Sequence, residues 1–383
     1  MISKIPLFKI CWDKEDVSAV TRVIKRGMYW TCGPETVEFQ KKIAEYIGTK
    51  HAVVFNSGTT ALHATIVAHK IKAGDEVLVP SFTFIATANT VLLAGAKPIF
   101  ADIEPKTYGL DPLDVQEKIT KRTRAIISVH YGGSPCLVKE LKQLAEDNNL
   151  LLIEDAAESI GARVDNRKVG SFGDSAMLSF CQNKVITTGD GGAVVTDSEE
   201  IHERLKLIRS HGRLEKSDYF TTREAMDYVT LGTNYRMSDI TAALGLSQLA
   251  KIEKIIKMRR SKAQYMTRKL SRIKQLAVPK PFSDHYFHVY QMYTIRVLDG
   301  EKTRDSLANH LAKRGIMTKV YFSPVHMTHF YQKELKYHCN LPATQEAAEQ
   351  VLTLPMHPSL QIQEMDYVTN TIREFFSDRR SEK

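Results

Sequence analysis

Residues 51–101 read HAVVFNSGTTALHATIVAHKIKAGDEVLVPSFTFIATANTVLLAGAKPIFA, and this stretch decides the fold. Short apolar runs rich in valine alternate with longer segments whose apolar residues recur at helical spacing. The pattern predicts strands over residues 51–55, 76–80 and 97–101 and helices over residues 60–69 and 85–93. A β-α-β-α-β order of this kind is typical of a parallel sheet whose strands are joined by helical crossovers.

The same alternation continues toward residue 250. The predicted elements are strands over residues 125–129, 150–153 and 176–180 and a helix over residues 138–148. We therefore predict an α/β large domain over residues 1–250, in which helices flank a mostly parallel mixed sheet.

The pattern changes after residue 240. Residues 240–271 have apolar positions at helical spacing and predict one long linking helix. Beyond it, the pattern predicts strands over residues 292–297 and 318–321 and helices over residues 304–314 and 364–376. These elements predict a smaller α+β domain over residues 251–383.

The composition excludes several protein classes. With 383 residues, 43% hydrophobic and 25% charged, the chain is neither disordered nor fibrous. The 53 Lys and Arg exceed the 44 Asp and Glu by 9, which favours anionic partners and leaves nucleic acid open. No apolar stretch approaches the ~18 residues of a membrane helix, so we expect neither a secretion signal nor a membrane helix. The cysteines form no C-x-x-C pair, so we expect no disulfide framework or zinc ribbon and predict a cytoplasmic location.

Polar residues follow three of the predicted strands, where α/β sheets bind ligands. Residues 56–60, NSGTT, connect a strand to its helix, so their amides and hydroxyls could hold a phosphate. A simple helix cap by Ser57 or Thr59 explains the same residues. Asp155 and Glu158 follow a fully apolar strand. A carboxylate that is desolvated there needs a cation or hydrogen-bond donors. A simpler interpretation is that the acid caps the next turn.

Lys184 is the third such point, because it follows the apolar strand over residues 176–180. Loss of hydration lowers the pKa of a lysine held at a buried strand end and makes its neutral amine a nucleophile, as Schiff-base chemistry requires. For a single lysine a solvated loop position is the more common explanation. The three points together favour a site with an amine, an acid and an anion cradle.

Five blocks of sequence carry a resemblance to a known family: NSGTTALHA, VPSFTFIATANTVLLAGAKPIFADI, IEDAAESIGA, SFCQNKVITTGDGGAVVT and GTNYRMSDITAALGLSQL. In order and spacing the chain resembles the DegT/DnrJ type of nucleotide-sugar aminotransferase, whose members are pyridoxal-phosphate enzymes of the aspartate-aminotransferase fold, fold type I. The C-terminal segments GIMTKVYFSPVHMTHFY and TLPMHPSL extend the resemblance over nearly the whole chain.

The resemblance implies catalytic and ring-binding roles. Lys184 matches the lysine that forms the Schiff base with the cofactor and then shuttles a proton. Asp155 matches the acid that keeps the pyridinium nitrogen protonated. Glu158 matches a position beside the ring hydroxyl, and Phe84 matches an aromatic that stacks on the ring.

The resemblance also implies how the phosphate is held. Thr59, Thr60 and Ser179 match phosphate ligands, and Asn234 matches an asparagine that the neighbouring subunit supplies. Arg236 would either contact an anion across the interface or pair with a local carboxylate. We therefore expect a homodimer with shared active sites.

The implied reaction moves an amino group, by family habit from L-glutamate, to a nucleotide-linked keto-sugar with ping-pong kinetics. A 4-keto-6-deoxy sugar is favoured, whereas the nucleotide and the aminated carbon stay open. A related dehydratase has histidine in place of the lysine, and Lys184 disfavours that alternative. A DNA-binding regulator is disfavoured, because the sequence lacks the clusters of basic residues that such a protein needs. The pairs His285/His288 and His326/His329 have zinc-like spacing, but we expect no metal in the site and neither membrane nor nucleic acid as a partner.

Overall fold

The computed structural model describes residues 4–214, 223 and 225–381, with side chains up to residue 378. The strands are β1 His51–Phe55, β2 Glu76–Pro80, β3 Lys97–Ala101, β4 Thr123–Val129, β5 Leu151–Asp155, β6 Arg163–Val164, β7 Arg167–Lys168, β8 Ser175–Ser179, β9 Gly192–Thr196, β10 Leu276–Ala277, β11 Tyr286–Phe287, β12 Tyr293–Val297 and β13 Val351–Leu354. The helices are α1 Lys14–Arg26, α2 Pro34–Ile47, α3 Gly58–Ala68, α4 Ala86–Leu93, α5 Pro112–Glu117, α6 Val138–Asp147, α7 Glu199–Arg209, α8 Asp239–Ala250, α9 Ile252–Leu270, α10 Glu301–Ala312, α11 Pro342–Gln350 and α12 Ile362–Ser381.

A seven-stranded sheet organises the first part of the chain, in the order β1-β9-β8-β5-β4-β2-β3. Strand β9 is antiparallel to both β1 and β8, and the remaining neighbours pair in parallel. Strands β1, β2, β3, β4, β5 and β8 therefore run in one direction, and their carboxyl ends meet at one edge. This sheet confirms the predicted α/β class with a mostly parallel mixed sheet.

Alternation along each strand buries both faces of the sheet. In β1, Val53 and Phe55 pack in the core that contains residues of α3 and α7, whereas Ala52 and Val54 pack in the core that contains residues of α2. All four side chains are at most 5% exposed. Because successive side chains point to opposite faces, a strand made entirely of apolar residues requires helices on both sides.

A second core lies toward the C-terminus. It combines the antiparallel sheet β10-β12-β13 with residues of α9, α10 and α12. Ile5 also packs into this core and forms a bridge with Ile316, although it lies in the segment assigned to the large domain. Strand β11, in turn, pairs with β6. The division at residue 250 stays a prediction.

Two predicted elements differ from the structure. The linking helix over residues 240–271 is interrupted at Lys251, whose ammonium lies 2.7 Å from carboxylate oxygens of Asp13 and Asp16. These ion pairs lie where α8 ends and α9 begins. The spacing of apolar residues does not predict them, because they join segments that are distant in the sequence. The strand over residues 318–321 is reduced to a bridge between Lys319 and Thr353.

The search for a membrane-spanning segment, made over the described residues, finds no helix that is both long and apolar enough.

The close contact between helices α2 and α8 can be tested by mutation. A Cβ on Gly245 would lie 2.4 Å from Cζ of Phe39, which is fully buried. Alanine normally favours a helix over glycine by about 1 kcal/mol, but overpacking of a rigid core costs roughly 1–3 kcal/mol. The net effect of Gly245→Ala should be a loss of about 1 kcal/mol in the free energy of unfolding, measured by urea titration. Ser247→Ala on the same helix is the control and should be nearly neutral; an unchanged Gly245→Ala protein would contradict this packing.

Candidate active site

The carboxyl ends of the parallel strands bring the predicted residues to one edge of the sheet. Asp155 ends β5 and Ser179 ends β8, while residues 56–60 follow β1. In the sheet register, Phe55 and Ser179 both pair with Gly192. Ser179 therefore lies across a single strand from the start of α3, as the argument from strand ends predicts.

Lys184 points inward at this edge. Its Nζ lies 3.2 Å from Oε1 of Glu158, and the two side chains are 13% and 9% exposed. The other oxygen of Glu158 accepts a hydrogen bond of 2.9 Å from the backbone amide of Gly132. The side-chain amide of Gln291 donates to the carbonyl of Asn183 and so fixes the turn that carries the lysine. The amine is thus held in place within the protein.

Asp155 is the second member of the cluster. Its Oδ2 accepts a 2.8 Å hydrogen bond from the Thr87 hydroxyl, and its Oδ1 accepts one of 3.2 Å from the Ala157 amide. Burial raises the pKa of Asp155 above its ordinary value, and Lys184 partly opposes this rise, while Glu158 adds to it. The carboxylate is therefore short of positive partners and suited to a bound cation.

Glu154 precedes Asp155 and differs from it in every contact. It is fully buried and accepts hydrogen bonds of 2.7 Å from three backbone amides, those of Gly170, Phe172 and Gly173. It also lies 3.0 Å from Nε2 of His130. Burial alone would raise the pKa of Glu154, but the hydrogen bonds from His130 and from the amides lower it below its ordinary value. This carboxylate is fully satisfied and has a structural role.

A cradle for an anion lies at the N-terminus of α3. A Cβ on Gly58 would lie 3.1 Å from Oγ of Ser179 and 3.0 Å from its Cβ, so glycine allows a close approach that a larger residue would crowd. Thr59 is exposed in the first turn, and the hydroxyl of Thr60 donates to Asn56 at 2.7 Å. Ser57 caps the helix by accepting the Thr60 amide, so the cap and the cradle are formed by the same residues.

The remaining predicted residues lie toward the surface. Phe84 is 60% exposed, and its ring centroid is 6.4 Å from that of Phe322. Asn234 is exposed and lies beside Asn56 of its own chain, whose side-chain amide is 3.5 Å from the Asn234 carbonyl. Contact of Asn234 with a second subunit stays a prediction. Arg236 has a buried Nη1 with no hydrogen-bond partner among the described residues.

The two histidine pairs with zinc-like spacing do not form metal clusters within the described part of the chain. His285 and His329 are exposed, whereas burial lowers the pKa of His288 to about 3. Nδ1 of His326 lies 2.7 Å from the hydroxyl of Ser81. In each pair, therefore, one histidine is exposed and the other is buried.

Sequence reasoning missed three groups that position the site. These are the Thr87 hydroxyl, the Gly132 amide and the Gln291 amide. Thr83 and Thr87, spaced as i and i+4 with their hydroxyls 3.0 Å apart, were a local signal for the first. The other two depend on contacts that cross the fold and leave no local pattern.

The set of donors fits pyridoxal phosphate. A lysine amine and a buried acid without an ion-paired cation among the described residues lie at one edge. The cradle combines Ser179, on the strand next to that of the acid, with the start of α3. These groups match the aldehyde, the ring nitrogen and the phosphate of the cofactor respectively.

Neutralising the two adjacent carboxylates should change the free energy of unfolding of the cofactor-free protein in opposite directions. A raised pKa means that ionised Asp155 destabilises the folded state above its unfolded pKa, whereas the lowered pKa of Glu154 stabilises it there. At pH 7 we expect Asp155→Asn to raise the free energy of unfolding by up to about 1 kcal/mol. Glu154→Gln should lower it by roughly 3 kcal/mol, since buried donors lose a charged acceptor.

Urea unfolding at pH 7 and pH 5 measures both variants. The advantage of Asp155→Asn should shrink as the pH falls, because the wild-type carboxyl then takes up its proton. Similar losses of stability in both variants would contradict the assigned difference between the two carboxylates.

Comparison with known proteins agrees with this geometry. The model of the DegT/DnrJ/EryC1/StrS aminotransferase family matches residues 10–373. GDP-perosamine synthase of Caulobacter vibrioides is 36% identical over 363 residues, which cover 94% of this chain and 91% of that protein.

Two solved structures are also similar. PseC of Helicobacter pylori, an aminotransferase involved in the biosynthesis of pseudoaminic acid, has a TM-score of 0.91 and 30% identity, covering 98% of this chain and 100% of its own. The PLP form of Spr1654 from Streptococcus pneumoniae has a TM-score of 0.92 and 25% identity, covering 98% and 99%. The predicted fold type and pyridoxal-phosphate cofactor are confirmed. The chain belongs to the DegT/DnrJ/EryC1/StrS aminotransferase family.

Proposed function

We propose that this chain transfers an amino group from L-glutamate to a nucleotide-linked keto-sugar of the 4-keto-6-deoxy type. The observation that carries the proposal is the Lys184 amine, held 3.2 Å from Glu158 and close enough to buried Asp155 to affect its pKa. The similar proteins named for GDP-perosamine synthesis and for pseudoaminic acid biosynthesis support a sugar as the amino acceptor.

Asp155 would fix the ring of the cofactor. When bound, pyridoxal phosphate supplies an aldehyde that condenses with amines and a protonated ring that withdraws electrons. Lys184 opposes the rise in the pKa of Asp155 only in part, and a protonated ring nitrogen would provide an ion-pair partner for this carboxylate. Thr87 orients the carboxylate by its 2.8 Å hydrogen bond, so the acid would meet the ring in a fixed direction.

Lys184 would act as nucleophile and then as proton carrier. The Lys184 amine would hold the cofactor through its aldehyde and, when free, would carry the proton that is removed from the amine-bearing carbon of the donor. The Gly132 amide fixes Glu158, which in turn lies 3.2 Å from Nζ of Lys184. Glu158 would lie beside the ring hydroxyl of the cofactor. Lysine at this position also disfavours the dehydratase alternative.

The phosphate would bind at the N-terminus of α3. Thr59, Thr60 and Ser179 would contribute hydroxyls there, and first-turn amides of the helix would donate to the same anion. The predicted contribution of Asn234 requires a second copy of the chain. Phe84, at the exposed rim, would cover the ring face.

A homodimer with shared sites is consistent with the exposed surface. Leu231 is 90% exposed, and Tyr228 and Met28 are each more than half exposed. The segments that carry them meet where Thr31 bridges Ser238. Large exposed apolar side chains concentrated near Asn234 are typical of an interface.

A cytoplasmic location remains part of the proposal. It rests on the five free cysteines at Cys11, Cys32, Cys136, Cys181 and Cys339.

Turnover with defined substrates tests the proposed function. The holoenzyme with L-glutamate should form 2-oxoglutarate, and a panel of nucleotide-linked keto-sugars should yield an amino sugar detectable by mass spectrometry. Lys184→Ala and Lys184→Arg should both lose at least about 1,000-fold in rate, since the arginine keeps the charge but neither condenses nor carries the proton. Failure of every keto-sugar to accept the amine would reject the substrate class, and an active Lys184→Arg enzyme would reject the role of the amine.

Mixed dimers test the shared site. Lys184→Ala and Asn234→Ala chains carry complementary defects, so a heterodimer contains one intact site if Asn234 serves the partner. Random mixing after unfolding and refolding should restore about one quarter of wild-type activity, because half of the dimers have one intact site of two. Activity that stays at the sum of the two variants would show that Asn234 serves its own chain; mixing either variant with itself is the control.

A further inference from the structure

A second cluster of ligating side chains lies at the opposite end of β1 from the candidate active site. His51 begins β1, and Glu199 and His202 lie in the first turns of α7. Nε2 of His51 is 3.2 Å from Oε2 of Glu199, and Nδ1 of His202 is 3.6 Å from Oε1 of Glu199. One ligand atom from each residue lies within 4.8 Å of the other two.

The backbone fixes this arrangement. His51 pairs with Thr196, the last residue of β9, and α7 starts three residues later, capped by the Ser198 side chain. Glu199 and His202 are spaced i and i+3, so they share one face of the helix. Strand pairing and the helix cap therefore bring all three side chains together independently of any ligand.

The ligand atoms contact mainly one another, and Oε1 of Glu203 also lies 3.6 Å from Nδ1 of His202. The two imidazole rings stack at 4.5 Å with an interplanar angle of 12°, and both are about one-fifth exposed. Nδ1 of His202 is a buried atom without a hydrogen-bond partner among the described residues. The Glu199 carboxylate is 70% exposed and can rotate, and the nearby Lys206 ammonium bonds Glu203 at 2.9 Å instead.

Two imidazoles and one carboxylate form a donor set that suits zinc. In a tetrahedral site with bonds of about 2.0–2.1 Å, ligand atoms stand about 3.3 Å apart. The separations here, from 3.2 Å up to 4.8 Å, reach that value by rotation of the exposed Glu199 and one ring. We propose that His51, Glu199 and His202 bind a divalent transition-metal ion of the Zn²⁺ class, with water as the fourth ligand.

The ion would fasten the edge of the large sheet. Strand β1 is at the end of the strand order and has β9 as its pairing neighbour. A metal shared by β1 and α7 would hold this edge strand to the helix that packs against it. Because the cluster lies about 13 Å along β1 from the cofactor edge, the proposal is independent of the transferase chemistry.

Calorimetric titration of the EDTA-treated holoenzyme with ZnCl₂ tests the site. We expect one Zn²⁺ per chain in the wild type and at least about tenfold weaker binding in the His51→Gln/His202→Gln double variant. His310→Gln, on α10, is the matched control and should bind as the wild type does. Equal affinity and stoichiometry in the double variant would overturn the proposal.

Thermal unfolding gives a second readout. Saturating Zn²⁺ should raise the Tm of the wild type by about 2 °C or more, because the ion binds the folded state. Glu199→Gln changes one exposed side chain and keeps the test valid if the double variant folds poorly; it should lose most of the rise. No rise in the wild type, or an equal rise in Glu199→Gln, would refute the site.

Discussion

Burial of two adjacent carboxylates at the end of one strand is the constraint on which the rest of the site depends. Successive residues of β5 point to opposite faces of the sheet, so Glu154 and Asp155 meet different surroundings. Three backbone amides and His130 satisfy Glu154, whereas Asp155 receives one hydroxyl and one amide. The first carboxylate is a structural anchor, whereas burial raises the pKa of the second, and a cationic cofactor ring would stabilise its charged form.

The sequence predicted the sheet and the strand-end residues because both depend on local patterns. Apolar runs locate buried strands, and the polar residues that follow them must lie at one edge when the strands are parallel. The resemblance then assigned roles to Lys184 and Asp155. The break at Lys251 and the amides of Gly132 and Gln291 were not predictable, because they result from contacts between distant segments. The structure therefore identifies the groups that position the site, whereas the residues proposed to react were identified from the sequence.

The two ends of β1 serve different purposes in this account. Its carboxyl end leads through residues 56–58 into the anion cradle, where Gly58 lets the chain approach Ser179. Its amino end carries His51, which meets Glu199 across the β9–α7 connection. A fixed position of β1 thus matters for the phosphate site, and a metal at the far end would stabilise the same strand. The exposed apolar residues near Asn234 would form the interface with a second chain. That chain would complete the proposed phosphate site.

We infer that the amine of Lys184 holds the cofactor beside Asp155. Borohydride reduction of the holoenzyme, followed by proteolysis and mass spectrometry of the peptides, identifies the lysine that carries the cofactor. We expect the reduced pyridoxyl group on the peptide that contains Lys184. A pyridoxyl group on another lysine would show that Lys184 does not hold the cofactor.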